Sequence, residues 1–571
     1  MTTMNRALIL LTGMLFAAGC SPDLPGGDQS SSFPGELTSS EFNVLNNEQK
    51  YQVANKLLGT IFRGVPVDDF YDISAGVGDL RLKSGNDFLA TTRSTLSSVL
   101  TQEQRNYYDM VITDRDSMAA DSLFSISFSD SDGPWPKHLP LARMYAYPLS
   151  KDVFDNWIAY VLANTILFSP AEEIDSATIR DVQKVIDKLR EDLRQNKSVR
   201  QIISRHQRTQ ENWRRFRSPE DNTREMIEIY LGLFDRDADV PRAARACQNL
   251  YLTGEADDYE LISSGFTNTE PQYVLDTYIV SCDDFYDLIA NHPLVMQRVT
   301  TVLVEYFFFT KSGVERAQIV NQIVSSNPQT FQDIFTRILF SKAYLLDNER
   351  PKSPEETFFS LAHQMDWKPY RLVLNEMAKV EGVTDTEVLS LKQMGWHVMS
   401  LKLGRFTGVP LDTLSFANYH RGIREKLLLG ANGSGDCGDE TGTGNSRCRW
   451  ANGMGMKLRT VPTVLADTAT AQARVKYEYE INRLNKLTAR NTRVLALAVD
   501  DYIDYVFLTG LQRKANDTEK SDLKTYFTTR GYLATSAGIS TITSGRHDEM
   551  AQVMFDYMSR LPEFYYFLRV N

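Results

Sequence analysis

The chain has 571 residues, more than one ordinary domain accommodates, so two or three domains are expected. A make-up of 42% hydrophobic, 11% aromatic and 24% charged residues excludes a disordered or collagen-like chain. A mean hydropathy of -0.32 with no membrane-length apolar run excludes a polytopic membrane protein, and a net charge of -11 excludes a general nucleic-acid binder.

At the N-terminus, Arg6 precedes an apolar run from Ala7 to Phe16, and small residues follow in Ala17-Ala18-Gly19-Cys20. That layout reads as a secretory signal, too short for a transmembrane anchor. The final four residues resemble the bacterial lipobox, with Ala17 where the pattern prefers Leu. The resemblance covers about twenty residues. It implies diacylation of the Cys20 thiol and cleavage just before it. It also implies a bilayer partner held through the acyl chains, and Ser21 after the cysteine implies a Gram-negative outer-membrane address. Residues 21–40, SPDLPGGDQSSSFPGELTSS, have the Ser, Pro and Gly content of a flexible tether. The expected divisions are 1–19 signal peptide, 20–40 lipidated cysteine and tether, 41–217 N-terminal helical domain and 218–430 central helical domain. A Gly/Asn-rich loop (431–456) and a C-terminal helical domain (457–571) complete the series.

From residue 41 onward the dominant apolar period is helical. A helix is predicted after Ser39-Ser40, and a core-type apolar helix in KDVFDNWIAYVLANTILF. A long helical stretch is predicted over 178–216. Further helices are predicted near 222–235, 270–290, 294–310, 313–325, 329–346, 353–365, 384–402 and 410–429, then 468–508, 517–530 and 547–568. Alternating strand patterns are rare, so the expected class is all-α.

Setting aside Cys20 leaves Cys247, Cys282, Cys437 and Cys448, an even number that suits disulfides in an oxidising compartment. Cys437–Cys448 is the favoured pair, because CGDETGTGNSRC is a short loop with no other core to hold it. Cys247–Cys282 follows by elimination. Cys-x-x-Cys spacing is absent, which weighs against a cysteine metal site. The same loop region carries oxygen donors at Asn432, Asp436, Asp439, Glu440 and Asn445, of the kind calcium takes, but without the EF-hand order.

Candidate chemistry is sparse. His363, His397 and His420 could form a three-histidine metal or catalytic site between helices, and Met394 and Met399 beside His397 offer soft ligands suited to copper. No fixed-spacing metal motif accompanies them; isolated histidines beside Trp and Met are more often core residues. Nucleophile-elbow, Walker and dinucleotide loops are absent. From 194 to 217 eight basic residues (among them Arg200, Arg205, Arg208, Arg214 and Arg215) stand against Glu211 alone, a face that would suit anionic headgroups or polysaccharide. The alternative is internal pairing, because residues 220–290 carry sixteen acids against four bases.

In the C-terminal half, YFFFT (306–310) lies over YVFLT (505–509), and residues 331–346 resemble 550–568, which hints at two related helical modules. Pro562-Glu563-Phe564 also resembles the Ser-Pro-Glu-Phe helix of large secreted bacterial families of unknown function, with Leu561 at the serine position. That likeness covers one helix and implies no functional residue. The expectation from all of this is a membrane-anchored envelope lipoprotein without a resident cofactor. Its helical body would bind or scaffold other envelope proteins, and a periplasmic enzyme built on His363, His397 and His420 is the competing class.

Overall fold

The computed structural model describes residues 33–72, 88–113, 143–167 (less 145, 146 and 164), 179–254 (less 217), 260–365 (less 353) and 489–570 (less 491). Side-chain caps set many helix starts. Thr38 accepts from Glu41 N while the Glu41 carboxylate returns to Thr38 N, opening α1 (Ser39–Asn43) one residue before the predicted serine pair. Asn46 and Gln49 repeat the device for α2 (Asn47–Thr60), so the expected single helix is two. Tyr51, Val53, Ala54 and Leu57 of α2 are fully buried, and Tyr51 Oη donates to Val65 O at 2.7 Å. That bond ties down the turn leading to α3 (Val67–Phe70).

Then come α4 (Phe88–Ser97) and α5 (Gln102–Thr113), with Phe88 stacked 5.8 Å from Phe42 of α1. The helix α6 (Lys151–Ala163) is buried on every side from Asp152 onward; its mostly apolar residues suit that place, and its buried Asp155 is paired with Lys151 and Gln332. Its Trp157 meets Phe335 edge-on at 5.1 Å. Against α6 lies α7 (Ile179–Arg194), which buries Val185, Ile186, Leu189 and Leu193, an apolar stripe at spacings of one, three and four. The expected continuous stretch over 178–216 is broken twice. Asn196 takes a left-handed φ of 52° and Ser198 caps α8 (Val199–Gln207); Thr209 then caps α9 (Gln210–Arg215).

After α10 (Pro219–Leu231) and α11 (Val240–Ala246) the chain forms two antiparallel hairpins. The first joins β1 (Leu250–Thr253) to β2 (Glu260–Ser263), and the second joins β3 (Gln272–Val274) to β4 (Thr277–Ile279). The helix expected over 270–290 therefore begins only at α12 (Cys282–Asn291). Upstream, Tyr273, Val274, Tyr278 and Ile279 are strand formers, and Leu275-Asp276, both at positive φ, turn the chain. The all-α expectation thus holds in its coarser form: the described residues are mostly helical, with short two-stranded ladders.

The remaining helices are α13 (Leu294–Phe307), α14 (Gly313–Ser325), α15 (Phe331–Leu339) and α16 (Lys342–Leu345), followed by β5 (Arg350–Pro351) and α17 (Pro354–Met365). The last part comprises α18 (Val499–Leu511), α19 (Asp517–Thr529), the hairpin β6 (Leu533–Ser536)–β7 (Ile539–Ile542), α20 (His547–Met558) and α21 (Pro562–Tyr565). It ends in β8 (Tyr566–Phe567), which pairs antiparallel with β5 across Arg350↔Phe567. The helix predicted over 468–508 is interrupted within its described part, because Ala498 is extended and α18 starts after it. Among the described residues no helix is long and apolar enough to cross a membrane.

Candidate functional site

Cys247 closes the C-terminus of α11 and Cys282 opens α12, and their sulfurs are bonded at 2.01 Å. The disulfide gathers both hairpins into one closed lobe. Asn268 Nδ2 donates to Glu270 O at 2.6 Å and to Val280 O at 2.8 Å, fastening the approach to β3 onto the end of β4. Asn249 Nδ2 reaches Ser263 Oγ at 2.9 Å at the foot of the first hairpin. Beneath the lobe lies a cavity of about 250 Å³. Trp213, Tyr286, Leu250 and Leu261 give it an apolar lining, while Asn249, Asn268, Thr267 and the Arg208–Asp283 ion pair give polar groups. Apolar walls with a few oriented polar groups suit retention of a ligand.

The basic run supplies part of that wall and is engaged inside the molecule. Arg208 Nε donates to Asp283 at 2.6 Å and Nη2 to Asp287 at 3.0 Å, with the guanidinium 5.4 Å from the Tyr286 ring centre. Arg200 donates to the carbonyls of Ala290 and His292, and Arg205 binds Asp192 at 2.5 Å. Arg214 and Arg215 are buried, and Arg215 donates to Leu167 O at 3.1 Å. Arg208 and Arg200 thus contact the acidic helix α12, and Arg205 contacts α7. These bonds are the internal pairing that the acidic stretch offers, and Arg205 keeps about half of its side chain exposed.

His363 sits on α17 with Arg63 Nη1 3.0 Å from its Nε2 and 3.4 Å from its Nδ1. A guanidinium against the ring is poor company for a metal ion. Among the described residues no group of three or more His, Cys, Asp or Glu is placed to hold one. His397, His420, Met394, Met399, Cys20, Cys437, Cys448 and the oxygen-rich loop (Asn432, Asp436, Asp439, Glu440, Asn445) lie outside the described residues.

A second polar cluster escaped sequence reasoning. Around the β5–β8 ladder, Lys56 Nζ donates to the carbonyls of Asn348 and Leu568, the latter at 2.9 Å, and Lys352 Nζ donates to Phe564 O at 3.1 Å. Arg350 donates to Glu356 at 2.8 Å and to Tyr344 Oη at 2.8 Å. Burial pulls Lys56 down to about 7, helped by neighbouring Arg350, and burial pulls Lys352 down to about 8. Both side chains donate to main-chain carbonyls, so the cluster ties α2 to residues 348–352 and 564–568. Nothing in the spacing of Lys56, Lys352 and Glu356 announces it. The lobe had a legible signal, the cation-free stretch from Cys247 to Asn291. Comparison with protein-family models, curated proteins and solved structures found no match to this chain.

Proposed function

We propose that this protein is an envelope lipoprotein, anchored by acyl chains on Cys20, whose helical body is a binding or scaffolding module. The observation that carries the reading is the order Arg6, apolar Ala7–Phe16, then Ala17-Ala18-Gly19-Cys20 ahead of a Ser/Pro/Gly tether. Ser21 favours the outer membrane. A cystine at Cys247–Cys282 suits the oxidising side of a bacterial inner membrane. The disulfide-closed lobe and the cavity beneath it are the part of the body best fitted to contact a partner, and other envelope proteins are the partners proposed. The test is metabolic palmitate labelling. The wild-type protein should label and partition with membranes, and Cys20→Ser should do neither. An unlabelled wild-type chain would refute the anchor.

We also infer that α13–β5 and α18–β8 are related modules. Both run helix, helix, helix, short helix, short strand, with the β6–β7 hairpin added before the third helix of the second; α13 and α18 have 14 and 13 residues, and α14 and α19 have 13 each. The last strands pair antiparallel, as two copies facing across an axis would.

A further inference from the structure

Large apolar side chains normally go inside, so a concentration of exposed ones on a rigid element marks a contact surface. The disulfide-closed lobe has that character. Phe266 is 82% exposed, Tyr278 71% and Tyr273 43%, and Tyr251 and Val280 are exposed as well. Tyr273 and Tyr278 face each other across the second hairpin with ring centres 5.0 Å apart. Their positions are fixed before any partner arrives. Leu275 and Asp276 make the turn at left-handed φ values of 46° and 62°, Asn268 pins the entry to β3, and the Cys247–Cys282 bond ties the base. Aromatic rings held in place lose little freedom on binding, which is how an exposed pair becomes an anchor.

Charge identifies the occupant. Between Cys247 and Cys282 the sequence has no Lys, Arg or His, and the described residues of the lobe present the exposed carboxylates Glu260, Glu270 and Asp276. Asp276 sits in the turn between the two tyrosines, 3.5 Å from Tyr273 Oη, and both Asp276 and Glu270 are exposed. Beside the second hairpin, Arg242 of α11 donates to Tyr273 O and leans on Asp239 at 3.8 Å. A surface of tyrosine faces among carboxylates attracts ammonium and guanidinium groups twice over, through ion pairing and through the ring quadrupole. It repels phosphate and anionic headgroups, and a neutral glycan stacked on the rings would use the carboxylates only as hydrogen-bond acceptors and leave their charge uncompensated. We propose that this lobe docks a lysine- and arginine-rich protein surface. The inference rests on the reading of the body as a binding module and names the chemistry of its partner.

The test titrates the full-length protein, in detergent micelles, with a fluorescent peptide of lysine, arginine and glycine. A matched glutamate peptide and chitotetraose serve as competing probes, and sedimentation velocity follows self-association. The cationic peptide should bind in preference to both. Binding should weaken about tenfold in a Tyr273→Ser/Tyr278→Ser variant and comparably in Glu270→Gln/Asp276→Asn. It should also weaken as salt rises from about 50 to about 300 mM. Tyr526→Ser, at an aromatic elsewhere that is exposed about as far as Tyr273, should leave it unchanged. If the hairpin variant fails to fold, Phe266→Ser provides the same readout. The proposal is overturned by affinity indifferent to the lobe variants, by equal loss in Tyr526→Ser, by preference for the glutamate peptide or chitotetraose, or by lobe-dependent dimerisation. Peptide binding does not need the acyl chains and palmitate labelling does not need the lobe, so each can fail without the other.

Discussion

His206, on the inward face of α8, is fully enclosed, and its imidazole stays neutral there. Burial is the main cause and Arg215 adds to it, holding the ring down to about 3 against an ordinary value of 6.5. The unfolded chain takes up a proton near 6.5, whereas the folded chain resists until about 3. Stability from this residue is therefore complete above the unfolded value and is lost as pH falls across that window. Denaturant midpoints of the wild type should decline from pH 6.5 toward pH 3. His206→Gln should show a shallower decline, whatever its stability at neutral pH. An unchanged slope in the variant would show that other groups control acid unfolding. His206 lies inside the basic run yet plays no part in its charge, a distinction that only burial makes.

At the scale of elements, helix existence was legible and helix interruption largely was not. α14 and α19 appear almost where the apolar period puts them, because Ser312/Glu315 and Asn516/Glu519 are capping boxes written in the sequence. The breaks at Asn196 and Thr209 depend on single residues inside strongly helical composition, so periodicity runs straight through them. The hairpin at 272–279 went unseen because each strand is three residues long and its turn, Leu275-Asp276, lacks the glycine that usually signals one. The cavity under the lobe joins Trp213 to Asn268, residues with no sequence relation. Close approach of elements is equally hidden. A Cβ on Gly64 would stand 2.1 Å from the Ser360 main-chain oxygen, so α17 packs directly on that backbone. Gly64→Ala should destabilise by about 3 kcal/mol in denaturant unfolding. Gly313→Ala, with nothing within 4 Å and a place in the first turn of α14, should be neutral or slightly stabilising. Equal effects at the two sites would refute the packing account.

For the molecule as a whole, the cystine closes a short excursion of chain and the β5–β8 ladder a long one. Cys247 and Cys282 are 35 residues apart, and the cross-link removes loop entropy worth roughly 4 kcal/mol from the unfolded state. Cys247→Ser/Cys282→Ser should lower thermal stability correspondingly, and the wild type under a strong reductant should approach the variant. A variant as stable as the oxidised wild type would mean that the lobe holds itself together. The ladder closes a far longer excursion. Lys56 reaches Leu568 across 512 positions, and Arg350 meets Phe567 within the same cluster. While residue 568 is still on the ribosome, α2 has no lid and its lysine no acceptor there. Loop entropy must be met before so distant a contact can reward it, so this corner of the molecule should be among the last to lock in folding.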